Sequence, residues 1–122
     1  MNAKVVLNEL ATKYPGKVII KNDEENPTEI LCEIEPTKEH SDYSLAVSVI
    51  DKSVPHIHKK LTETYKVIRG KLKLNVGDEI INLTQGQEYV IKPGQTHWAE
   101  GDETWIECYS TPGWIPEDHT LA

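Results

Sequence analysis

His56, His58, Glu63 and His97 are the residues whose types and spacing suit chemistry. Histidines at i and i+2 of an extended strand project to the same side, because strand side chains alternate between faces. His56-Ile57-His58 therefore puts two imidazoles on one face and Ile57 on the other. Glu63 follows within one tight turn, and His97 arrives from a distant segment. Three neutral imidazoles and one carboxylate are a ligand set for one divalent transition metal. Fe, Mn, Ni, Zn, Co and Cu all accept it, and the order of affinities does not decide which is bound in a cell. Such a set leaves positions open for substrate, water or dioxygen.

The elements that must position these residues are short strands. Residues 29–35, 43–50, 64–68, 71–76, 79–83, 88–91, 97–99 and 104–110 are rich in Val, Ile, Leu, Tyr and Trp and are separated by Gly, Pro, Asn and Asp. Lys71-Leu72-Lys73-Leu74-Asn75-Val76 alternates, so one face is buried and the other wet, and Val76-Gly77-Asp78-Glu79 reads as a hairpin connection. Leu7, Leu10, Ala11 and Tyr14 fall at helical spacing, which predicts one short helix from Val5 to about Tyr14, ended by Pro15-Gly16. A short strand follows at 17–21, then a polar loop at 22–27 that contains the Asp23-Glu24-Glu25 run. The expected fold class is all-β, a sandwich or barrel with a short N-terminal helix. The tail from Pro112 to His119 carries too many prolines for a regular element, and Trp114 is expected against the barrel exterior or end.

The bulk properties narrow the function classes. A chain of 122 residues fits one domain and supports a hydrophobic core without disulfides. A net charge of −7 disfavours nonspecific nucleic-acid binding, which needs basic patches. No apolar run approaches a membrane span, and residues 1–9 lack the apolar core of a signal peptide. Cys32 and Cys108 belong to no C-x-x-C pair and read as reduced buried thiols of a cytoplasmic protein.

The spacing reaches further than the ligands. His56-x-His58-x(4)-Glu63-x(6)-Gly70 meets every one of those positions of the first motif of the cupins, H-x-H-x(4)-E-x(6)-G. Gly86 through His97, with Pro93-Gly94 before the histidine, resembles the second motif, G-x(5)-P-x-G-x(2)-H-x(3)-N. Ile50, Lys92 and Gly101 stand where the family has Gly, Pro and Asn, and none of these departures touches a ligand. The resemblance covers about residues 43–112, and the fifteen residues between Gly70 and Gly86 suit a small single-domain cupin. It implies a double-stranded β-helix, or jelly roll, with the metal inside the barrel on His56, His58, Glu63 and His97. On that reading, residues 1–28 form an N-terminal extension and 29–122 the barrel with its tail. The resemblance also implies a homodimer.

Several further residues bear on chemistry. Tyr65 lies two positions after Glu63 and shares its face, so it is a candidate proton or hydrogen-bond donor. Glu107 is a candidate acid or base if Trp105, Glu107 and Tyr109 face inward; if Ile106 and Cys108 do, it is a solvated charge. The three tryptophans can serve a ligand platform or the core, with Trp98 directed away from the metal because His97 points in. His40 and His119 read as surface residues, and Lys59-Lys60 as an exposed turn or an attractor of anions at the barrel mouth. The expected function is a metal-dependent enzyme acting on a small polar molecule, dioxygenase-like or sugar/keto isomerase-like. The alternative is a non-catalytic cupin that binds or senses a small ligand.

Overall fold

Alternation along the strands sets the architecture. A computed structural model describes residues 1–122. Helix α1 spans Ala3–Lys13 and is followed by strands β1 (Ile19–Lys21), β2 (Glu29–Glu35), β3 (Ser44–Lys52), β4 (His56–Ile57) and β5 (Thr62–Arg69). Then come β6 (Lys71–Val76), β7 (Glu79–Thr84), β8 (Glu88–Ile91) and β9 (His97–Thr111). A 3-10 helix (Pro116–Asp118) and β10 (Thr120–Leu121) close the chain. The helix starts two residues before the apolar spacing suggests, because the Asn2 side chain caps it by accepting from the Val5 amide.

The ten strands form one antiparallel sheet curled into a jelly roll. Strand β9 is its spine, pairing with β3, β4, β5 and β6. The two segments expected at 97–99 and 104–110 are thus one strand, kinked where Glu103 takes a positive φ of 46°. Gly101 sits at the kink, and a side chain there would strike the Thr104 side chain and the Ile50 carbonyl.

Two apolar clusters lie on opposite sides of the sheet. Tyr65, Val67, Leu72, Leu74, Ile91 and Ile106 fill the barrel, with Ile50, Val76, Leu83 and Ala99. Val6 and Leu10 of α1 cover the outer face of β2, β3 and β9 through Ile30, Cys32, Val47, Val49 and Trp105. This second cluster decides a parity that the sequence leaves open. Trp105 turns outward under the helix, so Ile106 and Cys108 turn inward and Glu107 does not reach the lumen. Glu107 shares the outer face with its cross-strand partners Val47 and Lys66.

The tail also departs from its expectation. The 3-10 helix opens on Pro116, whose fixed φ suits a first helical position, and β10 pairs with β4 at Thr120↔Ile57 and Leu121↔His56. Trp114, expected at the barrel's exterior or end, lines its cavity. No helix is long and apolar enough to cross a membrane. Cys32 and Cys108 are free thiols, one under α1 and the other facing the lumen.

Candidate metal centre

Local backbone geometry brings the four sequence-derived ligands together. His56 is paired on one side with His97 of β9 and on the other with Leu121 of β10. His58 falls just beyond β4, and Glu63 lies within β5. The turn before His97 contains Gly94 at φ 85°, a left-handed conformation that favours glycine, and the Gly94 amide donates to the His58 carbonyl at 2.7 Å. The Gln95 side chain accepts from the Lys92 amide and fixes that turn. As a result the ligand atoms of His56, His58, Glu63 and His97 all lie within 4.8 Å of one another, and all four side chains are buried.

The tautomer of each imidazole follows from its neighbours. Nδ1 of His56, His58 and His97 lies 2.7, 2.8 and 3.0 Å from the carbonyl oxygens of Val54, Asp118 and Gln95. A carbonyl accepts and cannot donate, so each Nδ1 carries a proton and each neutral ring presents the lone pair of Nε2. Glu63 Oε1 sits 3.3 Å from His97 Nε2 and 3.7 Å from His58 Nε2. Lone pairs aimed at a carboxylate repel unless a cation lies among them. His58 Nε2 is buried and has no hydrogen-bond partner in the protein. Donor types, tautomers and the orphaned nitrogen all fit a divalent transition metal.

The pKa values follow from the same burial. Burial, with His97 beside it, pushes His56 down to about 4 from 6.5. Burial would raise Glu63, but the contact with His97, and then the nearby His58 and His56 imidazoles, outweigh it and hold the carboxyl below its usual value. Burial, reinforced by the nearby Glu63, pushes the Tyr65 hydroxyl well above its usual value.

The centre opens into a cavity of about 280 Å³ lined by His56, Glu63 and Tyr65, with Glu29, Ser48, Cys108, Trp114 and His119. The sequence reading did not single out Glu29, Asp118 or a site role for His119. Glu29 begins β2, where Glu29, Leu31, Glu33 and Glu35 turn toward the cavity while Ile30 and Cys32 turn toward α1. Burial and the nearby Glu63 raise its carboxyl to about 7, against the opposing pull of Ser48 and His97. His119 is exposed, as expected of a surface residue, but its ring also stacks on His56 with centroids 4.5 Å apart at 19° and lines the cavity. Burial lowers its pKa. His40 stacks on Tyr43 and lies outside the cavity lining. Lys59 and Lys60 form an exposed turn, also outside it.

Asp118 anchors the tail to the site. Its buried carboxylate accepts from the amides of Lys59, Lys60 and Leu61 at 2.8 to 3.1 Å, while its carbonyl holds His58. Burial would raise its carboxyl, but those three amides outweigh that and hold it below the usual range. The signal in sequence was Pro116-Glu117-Asp118, a proline-led helical turn beyond the last expected strand.

A protein-family model for the cupin domain matches residues 47–106. The chain carries a cupin domain. A search of curated protein sequences returns no match. Among solved structures, this cupin resembles Pac13 from Streptomyces, described as a nucleoside dehydratase, with a TM-score of 0.77 at 10% identity over 89% of this chain and 87% of that one. It also resembles ectoine synthase from P. lautus (TM-score 0.67, 19% identity, 91% and 86% covered). A double-stranded β-helix protein from Klebsiella pneumoniae gives 0.70 at 20% identity over 92% and 88%. At these identities the likeness carries the fold alone.

Two cavity groups make opposite demands on the metal-free protein. The unfolded chain protonates His56 near pH 6.5 and the folded chain only near 4, so stability falls as pH drops through that window. Glu29 keeps a proton up to about pH 7 in the fold but loses it near 4.5 when unfolded, so its contribution is lost as pH rises between those values. Glu29→Gln removes only the second effect. In EDTA the variant should exceed the parent above pH 7 by on the order of 2 kcal/mol, with the gap closing toward pH 4. Urea unfolding across pH 4 to 8 reads it, and parallel curves would refute the buried-carboxyl account.

Proposed function

We propose that this cupin is a metal-dependent enzyme that moves protons on a small polar substrate, in the manner of an isomerase or lyase. The observation that carries the reading is the buried four-ligand cluster, with His58 Nε2 orphaned, opening onto a cavity that also holds protonatable groups. A divalent ion held by His56, His58, Glu63 and His97 would supply a Lewis acid for a substrate oxygen. The chain's own residues supply the rest. Tyr65, buried on the cavity lining beside Glu63, can give a proton there. The His119 ring, parked on His56 at the mouth, can take one. The apolar barrel packing behind Tyr65 keeps bulk water from that side. Glu107 has no part in this reading, since it stands on the outer face. The dehydratase activity named for Pac13 supports the same class of chemistry.

Protein loaded with Zn(II) or Fe(II) and incubated in D2O with small polyols, hydroxy ketones and amino alcohols tests this. The expected result is deuterium incorporation or water loss, seen by NMR under argon with the redox-inert zinc form. Product formed only by the iron form, with oxygen uptake, would overturn it in favour of oxygen activation. Tight binding without turnover would favour a binding module instead. The reading includes a homodimer: β1 is a sheet edge that pairs only with β2 and exposes Ile20, next to exposed Val18.

A further inference from the structure

Glu29 is a cavity carboxyl that the ligand cluster does not use. It begins β2 and lines the cavity with His56, Glu63 and Tyr65. Its cross-strand partner Ile50 is fully buried in the barrel core, and Leu31 follows it on the same face. No lysine or arginine lines the cavity to neutralise it. Its charge is felt at Tyr65 and Cys108, and those of Glu63 and His97 are felt at Glu29, so it stands close to the ligand cluster without belonging to it. A carboxyl in that setting lowers the stability of the fold above pH 7, which is the mark of a group serving a site. The neighbouring groups are committed otherwise. The three ligand imidazoles carry protons on Nδ1 and turn Nε2 to the cluster, and Glu63 is itself a ligand. Burial keeps the Tyr65 hydroxyl and the Cys108 thiol protonated. Glu33 and Glu35 lie about 13 and 20 Å farther along β2. His119 stands at the exposed mouth, where it trades protons with solvent.

We propose that Glu29 is the base that takes a proton from the carbon beside a substrate carbonyl, so that this cupin acts on hydroxy ketones and hydroxy aldehydes. The assignment rests on the reading of the cavity as a metal-dependent proton-transfer site. The substrate carbonyl lies at the ligand cluster, beside Tyr65, and the neighbouring carbon faces Glu29. The C–H bond breaks, its proton goes to a carboxylate oxygen of Glu29, and its electron pair forms the carbon–carbon double bond of an enol. Tyr65 gives its proton to the carbonyl oxygen. Glu29 then returns its proton to the former carbonyl carbon, while the hydroxyl on the other carbon gives its proton to Tyr65. The carbonyl has moved by one carbon, and both residues are as they began.

Zinc-loaded protein in D2O with hydroxyacetone, glycolaldehyde or dihydroxyacetone tests the assignment by NMR. The parent should exchange the C–H beside the carbonyl faster than buffer holding the same zinc. Glu29→Gln should slow that exchange by about 100-fold or more at unchanged zinc content, Glu29→Asp should recover part of the loss, and Glu33→Gln should stay within about twofold of the parent. Chloroacetone reads position apart from turnover: a Glu29 carboxylate oxygen displaces chloride from its CH2 carbon, and mass spectrometry should find the resulting ester on Glu29. Glu29→Gln exchanging at the parental rate, or an active parent that chloroacetone labels only at other residues, overturns the assignment and leaves the proton-transfer reading standing. A parent that exchanges none of the three compounds faster than buffer overturns it as well. Deuterium incorporation or water loss with polyols or amino alcohols would then keep the wider reading, and its absence there would remove both.

Discussion

Replacing His97 with alanine should abolish stoichiometric metal binding. His97 is fully buried, is the cross-strand partner of His56, and its Nε2 lies 3.3 Å from Glu63. Its removal takes away one of three nitrogens and also the group that holds Glu63 ionised. The two remaining imidazoles then face a carboxylate without the fourth donor that closes the set. Elemental analysis of protein purified without added metal should fall from about one ion per chain to background, and affinity for Zn(II) in competition with a chelator should drop by more than the ~100-fold that losing an outer-shell partner costs. His58→Ala should behave alike. Unchanged metal content in both variants would remove the site. A far-ultraviolet spectrum like the parent's is needed beside it, because His97 also fills space next to His56, with ring centroids 4.1 Å apart.

The second large effect belongs to a residue that touches no metal. Asp118→Ala leaves the amides of Lys59, Lys60 and Leu61 without their acceptor. A buried amide that loses a charged partner costs about 1 to 3 kcal/mol; only the Leu61 bond is fully buried and water will satisfy part of the other two, so a loss near 3 kcal/mol is expected. The same change loosens the 3-10 turn whose carbonyl orients His58, so Zn(II) affinity should weaken about 10- to 100-fold. The two readouts separate the roles. Urea unfolding in EDTA measures the anchor alone, and chelator competition on folded protein measures the ligand's orientation. An Asp118→Ala protein as stable as the parent and as tight for zinc would refute both. Because metal and tail meet through His58, each should strengthen the other's hold by the same free energy.

What the sequence made legible follows from periodicity. The ligands were readable because His56 and His58 are two apart, and because Glu63, Gly70 and Pro93-Gly94 stand at fixed distances from them. The strands were readable because alternation survives in most of them. Glu29 was not, because Glu29-Ile30-Leu31-Cys32-Glu33-Ile34-Glu35 looks like a strand with its polar side in water. Here the helix takes the apolar side and the polar side turns into the barrel. The same helix settled Glu107 against the lumen by claiming Trp105. Asp118 and His119 were missed for a different reason. Their importance depends on contacts with residues about sixty positions earlier, and a proline-rich tail gives no period from which to infer a docking place.

The three carbonyls that set the imidazole tautomers belong to the main chain of Val54, Gln95 and Asp118. A main-chain acceptor persists under a change of side chain wherever that side chain does not itself hold the turn, as Asp118 does. Exposed Val54 can therefore drift freely among related sequences without disturbing His56, and Gln95 is constrained only by the turn it clamps. The tautomers at this centre are thus set by the path of the backbone, which leaves little trace in residue identity. Designers who graft the four ligands onto another barrel would have to transplant that path as well.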